Sequence, residues 1–144
     1  MGNYFDVRSF DSEDKTAIST IAPKILVVDD SILVRKQISK LLISEGYDVM
    51  DHSSNGLEAV DMYKKLFPDV DLVTMDISIP RMGGLKALEL ILEFDKNAKV
   101  VMISALGKED ISEKAVQAGA LGYIMKPLNR DHVSKTLSAV FNNV

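Results

Sequence analysis

The pair Asp29-Asp30 and the residues Asp76, Ser104 and Lys126 lie far apart in the chain, yet each follows a short apolar run. Singly they are ordinary. An Asp pair after a strand often forms a solvated turn or a helix cap, Asp76 could punctuate the loop Ile77-Ser78-Ile79-Pro80, Ser104 could cap a helix, and most lysines are surface charges. Gathered in one crevice they would do specific chemistry. Converging carboxylates repel and raise one another's pKa unless a cation neutralises them. Oxygen ligands without His or Cys suit a hard ion, and Mg2+ is content with one or two carboxylates plus water. A carboxylate attacking phosphorus yields an aspartyl phosphate. Mg2+ would offset the charge of the incoming group, while the Lys126 ammonium and the Ser104 hydroxyl would hold its oxygens.

The elements flanking these residues are the ones such a crevice needs. Lys24-Ile25-Leu26-Val27-Val28 reads as a strand buried on both faces. Val34, Ile38, Leu41 and Leu42 stripe the helix that follows, and Gly46 stops it. Tyr47 to Met50 is the second expected strand. Asn55-Gly56 with Glu58 opens a helix whose Ala59, Tyr63 and Phe67 share a face until Pro68. Strands are expected over Asp71 to Met75, Lys99 to Ile103 and Leu121 to Met125. The helices between and after them are striped by Leu85, Leu88, Ile91 and Leu92, by Ile111, Ala115 and Ala118 up to Gly119, and by Val133, Leu137, Val140 and Phe141. Five βα units of this kind imply an α/β fold: a doubly wound, five-stranded parallel sheet with helices on both faces and right-handed crossovers. Sites in such sheets lie beyond the carboxyl ends of the strands, where all five polar residues fall.

Composition narrows the class. At 144 residues the chain suits one domain with a real core. A net charge of -4 without a basic stripe argues against nucleic acid. The lack of cysteine excludes disulfides and thiolate metal sites and fits a reducing compartment. No apolar run is long enough to span a bilayer, and no signal peptide opens the chain. Met1-Gly2 is no myristoylation signal, since Asp6 stands where Ser or Thr is wanted. A cytoplasmic protein without membrane or nucleic-acid partners, acting as a monomer, is the expectation. Residues 1–23 are set apart as an acidic, flexible extension whose Tyr4, Phe5 and Phe10 could dock on the domain or a partner; residues 24–144 form the domain.

The stretches KILVVDDSILVRKQI, LVTMDISIPRMGGL, VVMISALGKED and AGALGYIMKPL resemble the receiver domains of bacterial response regulators, most closely the free-standing chemotaxis regulators. The resemblance implies the flavodoxin-like strand order 2-1-3-4-5. It makes Asp76 the phosphoacceptor, Asp30 the acid that binds Mg2+ directly, and Asp29 the one that orients a metal-bound water. The backbone carbonyl of Ser78 becomes a further metal ligand, Ser104 the switch hydroxyl beside small Ala105, and Lys126 the phosphate-pairing lysine, with a cis bond to Pro127. Tyr123 matches the aromatic that turns inward when Ser104 moves. One departure is Gly83-Gly84, where the family often has Asp-Gly; it loosens the loop without removing a ligand.

The implied protein is a signalling switch rather than an enzyme, supporting only its own phosphorylation and slow dephosphorylation. A chemotaxis histidine kinase would act upstream, a dedicated phosphatase would end the signal, and the flagellar motor switch would read it. With nothing after Asn143-Val144, output is expected by protein binding. Three rivals stay open: a stand-alone receiver of a non-motility relay, an aspartate-nucleophile phosphatase, and a flavin module on the same fold. Ser78 opposes the phosphatase because it stands where those enzymes place a second Asp, and the acidic crevice opposes a flavin phosphate. His52 and His132 are expected on the surface, the methionines as core fillers, and Leu106 at a loop that could gate water.

Overall fold

In the computed structural model the described residues are 21–105, 107 and 109–142. The extension with Tyr4, Phe5 and Phe10, the loop residue Leu106 and the terminal Asn143-Val144 lie outside them.

Ten elements alternate: β1 (Lys24–Val28), α1 (Ile32–Ser44), β2 (Asp48–Ser53), α2 (Gly56–Leu66), β3 (Leu72–Asp76), α3 (Gly84–Phe94), β4 (Val100–Ser104), α4 (Glu109–Gln117), β5 (Gly122–Met125) and α5 (Arg130–Asn142). The strands form one parallel sheet in the order β2-β1-β3-β4-β5, as expected. Successive side chains on a strand point to opposite faces. Leu26, Val28, Val73, Met75, Val100 and Met102 therefore meet α2, α3 and α4 on one side. Ile25, Val27, Leu72, Val101, Ile103 and Ile124 meet α1 and α5 on the other. Burial on both faces explains why β1, β3 and β4 read as nearly unbroken apolar runs.

Most strands sit slightly further along than their apolar runs suggest. β3 and β4 include Asp76 and Ser104, which pair in register with Ile103 and Met125. Backbone pairing is indifferent to side-chain polarity, so the ladder carries the polar site residues at its ends. Two stripe residues lie just past the ends of their helices. Phe67 leaves α2 and is 46% exposed, its backbone extended ahead of Pro68. Ala118 lies exposed beyond α4, whose inward positions are Ser112 and Ala115. The methionines behave as fillers: Met75 and Met102 are buried, and Met50, Met62 and Met82 pack against the same core. His52 and His132 are exposed.

Three glycines shape the loop after β3. A Cβ on Gly84 would lie 2.2 Å from the Asp76 carbonyl oxygen, and one on Gly56 2.0 Å from that of Met82. The N-terminus of α2 also grips this loop, with the Gly56 and Leu57 amides donating to the Pro80 and Arg81 carbonyls. Gly83 is different. It is the N-cap of α3, has ordinary extended angles, makes no side-chain cap and has room for a Cβ. Neighbouring glycines should thus respond oppositely: Gly84→Ala should cost roughly 2–3 kcal/mol through backbone collision, and Gly83→Asp should add about 0.5 kcal/mol by capping α3. Urea midpoints at unchanged slope measure both.

Candidate functional site

Asp29 follows β1 and is fully buried. Its amide donates to the Ser53 carbonyl at 3.1 Å, and its carbonyl accepts from Arg35 at 2.6 Å. Ser31, which caps α1, donates its amide to Asp29 Oδ1 at 2.9 Å. Backbone and carboxylate are thus held from three sides. Asp30, next to it, is exposed. Asp76 closes β3 with only 4% exposure, and the chain turns over it so that the Ser78 amide donates to Oδ1 at 3.2 Å.

Lys126 joins the two buried acids. Its Nζ lies 3.2 Å from Asp29 Oδ2 and 3.4 Å from Asp76 Oδ2. It follows β5, its amide donates to the Ser104 carbonyl at 2.8 Å, and its bond to Pro127 is cis, as expected. The carboxylates of Asp29, Asp30 and Asp76 offer ligand atoms within 4.8 Å of one another. This oxygen-only donor set, one member facing water, fits a hard divalent ion such as Mg2+.

The electrostatics agree with the crowding. Burial first, then the charge of Asp29, push Asp76 up from its ordinary 3.8 to about 6, against the opposing pull of Lys126 and the Ser78 amide. Burial alone would lower the Lys126 ammonium, but the carboxylates of Asp76 and Asp29 outweigh it and hold the proton on. The crevice is acidic beyond what one ammonium balances.

The sheet thus brings Asp29, Asp30, Asp76 and Lys126 together, all from the sequence reading. Ser104 is at the same edge but turned differently: among the described residues its hydroxyl meets Ser112 Oγ at 3.0 Å and Met125 Sδ at 3.6 Å. Tyr123 is half-buried on β5 and packs against the α2–α3–α4 side of the core. Sequence reading missed Arg35 and Ser112. The signal for Ser112 was a hydroxyl on the inward stripe between Ile111 and Ala115. Nothing in the sequence pointed to Arg35.

The response regulator receiver domain family matches residues 25–138, and the chain belongs to that family. It is a CheY-like receiver of a two-component system. The chemotaxis protein CheY of Treponema pallidum is 56% identical over 117 residues, 81% of each chain. The CheY of Bacillus subtilis is 39% identical over 122 residues, 85% of this chain and all of that one. Among solved structures, a chain of the CheX-CheY-BeF3-Mg complex from Borrelia burgdorferi superimposes with a TM-score of 0.82 at 43% identity, covering 87% of this chain and 93% of that one. Receiver domains bind Mg2+ through an acidic pocket, and the pocket here is the Asp29, Asp30 and Asp76 cluster. Among the described residues no helix is long and apolar enough to cross a membrane.

Because the folded-state pKa of Asp76 lies above its ordinary value, the native state binds this proton more tightly than the unfolded chain does. Its ionisation therefore costs stability: the cost is full above about pH 6 and vanishes below about pH 4. In metal-free buffer Asp76→Asn should be more stable than wild type at pH 7.5, by up to roughly 3 kcal/mol, and the two should converge near pH 4. Added Mg2+ should narrow the gap at pH 7.5 by binding the wild type better. Urea denaturation with chelator or with Mg2+ measures each arm.

Proposed function

We propose that this chain is a phosphorylation-controlled switch in chemotaxis, receiving its phosphoryl group on Asp76 from the phosphohistidine of a sensor kinase. The observation that carries the reading is the Lys126 ammonium shared by Asp29 and Asp76 inside a three-carboxylate cluster. A lysine held there by buried acids is placed to pair with a phosphoryl oxygen once Asp76 has given up its own charge to the new bond.

In the transfer, an Asp76 carboxylate oxygen forms a bond to phosphorus while the phosphorus–nitrogen bond of the phosphohistidine breaks, its electron pair returning to the imidazole. Above its pKa of about 6, Asp76 is the ionised nucleophile this needs. Asp29, Asp30, Asp76 and the Ser78 carbonyl would hold Mg2+, which when bound supplies charge neutralisation for the phosphoryl oxygens. The Ser78 amide orients Asp76. The Ser104 hydroxyl then turns to donate to a phosphoryl oxygen, the loop after β4 follows, and Tyr123 packs into the vacated space. The surface of α4, β5 and α5 changes shape as a result.

The chemotaxis assignment is supported by the names of the relatives; a chemotaxis kinase upstream and the flagellar motor switch as reader complete the proposal. The Borrelia burgdorferi complex, in which CheY is joined to CheX, supports a further dedicated partner of that kind for this chain. Residues 1–23 are an extension outside the receiver, and the domain acts in the cytoplasm as a monomer without catalysing turnover of other substrates.

Incubation with acetyl phosphate and Mg2+, followed by intact mass, tests the nucleophile. Wild type should gain one phosphoryl group and Asp76→Asn none; equal gain in both would remove Asp76 from this role. Pull-down with flagellar switch protein tests the output. Binding that beryllofluoride does not enhance would favour a relay outside motility.

A further inference from the structure

The polar residues at the carboxyl edge divide between the two faces of the sheet. Asp29 follows Val27 by two positions, Asp76 follows Leu72 by four and Lys126 follows Ile124 by two, which places all three in line with the α1–α5 side. Ser104 follows Met102 by two and Met125 follows Tyr123 by two, in line with the α2–α3–α4 side. Ser104 is 1% exposed and Ser112, on α4, is fully buried. Their hydroxyls lie 3.0 Å apart, and Ser104 Oγ donates to Met125 Sδ at 3.6 Å. If Ser104 spends its single proton on the sulfur, its lone pair is what receives the Ser112 proton.

From this we infer that Ser112 and Met125 are positioning residues that latch the Ser104 hydroxyl on the far side from Asp76, and that opening this latch sets part of the threshold for activation. The inference rests on the reading of Ser104 as the switch hydroxyl. A serine side chain has staggered wells and occupies one at a time. To donate to a phosphoryl group on Asp76, Ser104 must withdraw its proton from Met125 and its lone pair from Ser112. A buried hydroxyl–hydroxyl bond contributes more to the state that makes it than its water-exchanged counterpart would. The sulfur, a weak acceptor, holds the proton lightly, so Ser112 is the stronger half. Threshold and reversibility then come from the same contact: the latch resists turning on, and reforms when the phosphoryl group leaves.

The test uses the full chain and titrates beryllofluoride, a phosphoryl mimic, at saturating Mg2+ by calorimetry. It compares wild type, Ser112→Ala, Ser104→Ala and the double variant. Ser104→Ala should bind the mimic more weakly. Ser112→Ala should bind it about three- to tenfold more tightly, with affinity for Mg2+ alone unchanged. In the double variant the gain should vanish, because the latch works through the hydroxyl that Ser104→Ala removes. Unchanged or weaker binding by Ser112→Ala, alongside weakened Ser104→Ala, overturns the latch while leaving Ser104 its switch role. So does a gain that survives in the double variant. Wild-type affinity in Ser104→Ala overturns the reading of Ser104 itself, and the latch with it. If Ser112→Ala does not fold, Met125→Leu decides on the same terms: it keeps the volume, removes the acceptor and should bind the mimic more tightly.

Discussion

The ammonium of Lys126 between the carboxylates of Asp29 and Asp76 is the contact on which the rest of the site depends. Two buried acids side by side repel, and at such distances an opposite charge near a protein surface is worth about 4 kcal/mol before desolvation is counted. The lysine makes the pair tolerable but does not balance it, since Asp30 adds a third carboxylate. What remains is a pocket with surplus negative charge and only oxygen donors. A divalent hard ion suits such a pocket, and a phosphoryl group is repelled from it until that ion is present.

This contact dictates the fold around it. In the order β2-β1-β3-β4-β5, Asp29 and Asp76 follow or end neighbouring strands, but β4 stands between Asp76 and the strand that presents Lys126. A long, flexible stem is needed to cross that gap, which lysine has. Everything that fixes the strand ends therefore serves the charge arrangement. The Arg35 bond to the Asp29 carbonyl, the Ser31 cap and the grip of α2 on the loop after β3 all tighten one edge of the sheet. Gly56 and Gly84 belong to the same device, because backbone packs against backbone where a side chain would intrude. Gly83 does not, and the helix it opens begins uncapped.

The opposite face of the sheet gives the site its second property. Ser104 is anchored among Ser112 and Met125, and Tyr123 packs on the same side, while the charges gather on the other. Chemistry and conformational response are thus separated by the pleat of the sheet, with Ser104 at the boundary. A hydroxyl that can face either way is a small element, but its two arrangements are discrete rather than graded.

Much of this was legible in the sequence. Alternating strand and helix periods define the class of fold, and a parallel sheet puts strand ends on one edge, so the sequence pattern already gathers Asp29, Asp30, Asp76, Ser104 and Lys126. Their assembly follows from chain direction, which local pattern reports well. Lys126 facing both Asp29 and Asp76 needed the register of four strands, which no local pattern carries. Phe67 keeps the face of Tyr63, the ring centroids 6.4 Å apart, but stands one residue past the last turn of α2, where Pro68 ends the helical path. Arg35 was invisible, and Ser112 showed only as a hydroxyl on an inward stripe, for a related reason: what they do is defined by a partner in space, the Asp29 carbonyl or the Ser104 hydroxyl. The sequence by itself determined which side chains reach the functional edge. Only the tertiary structure decided which way each one faces there, because that depends on packing between elements distant in the chain.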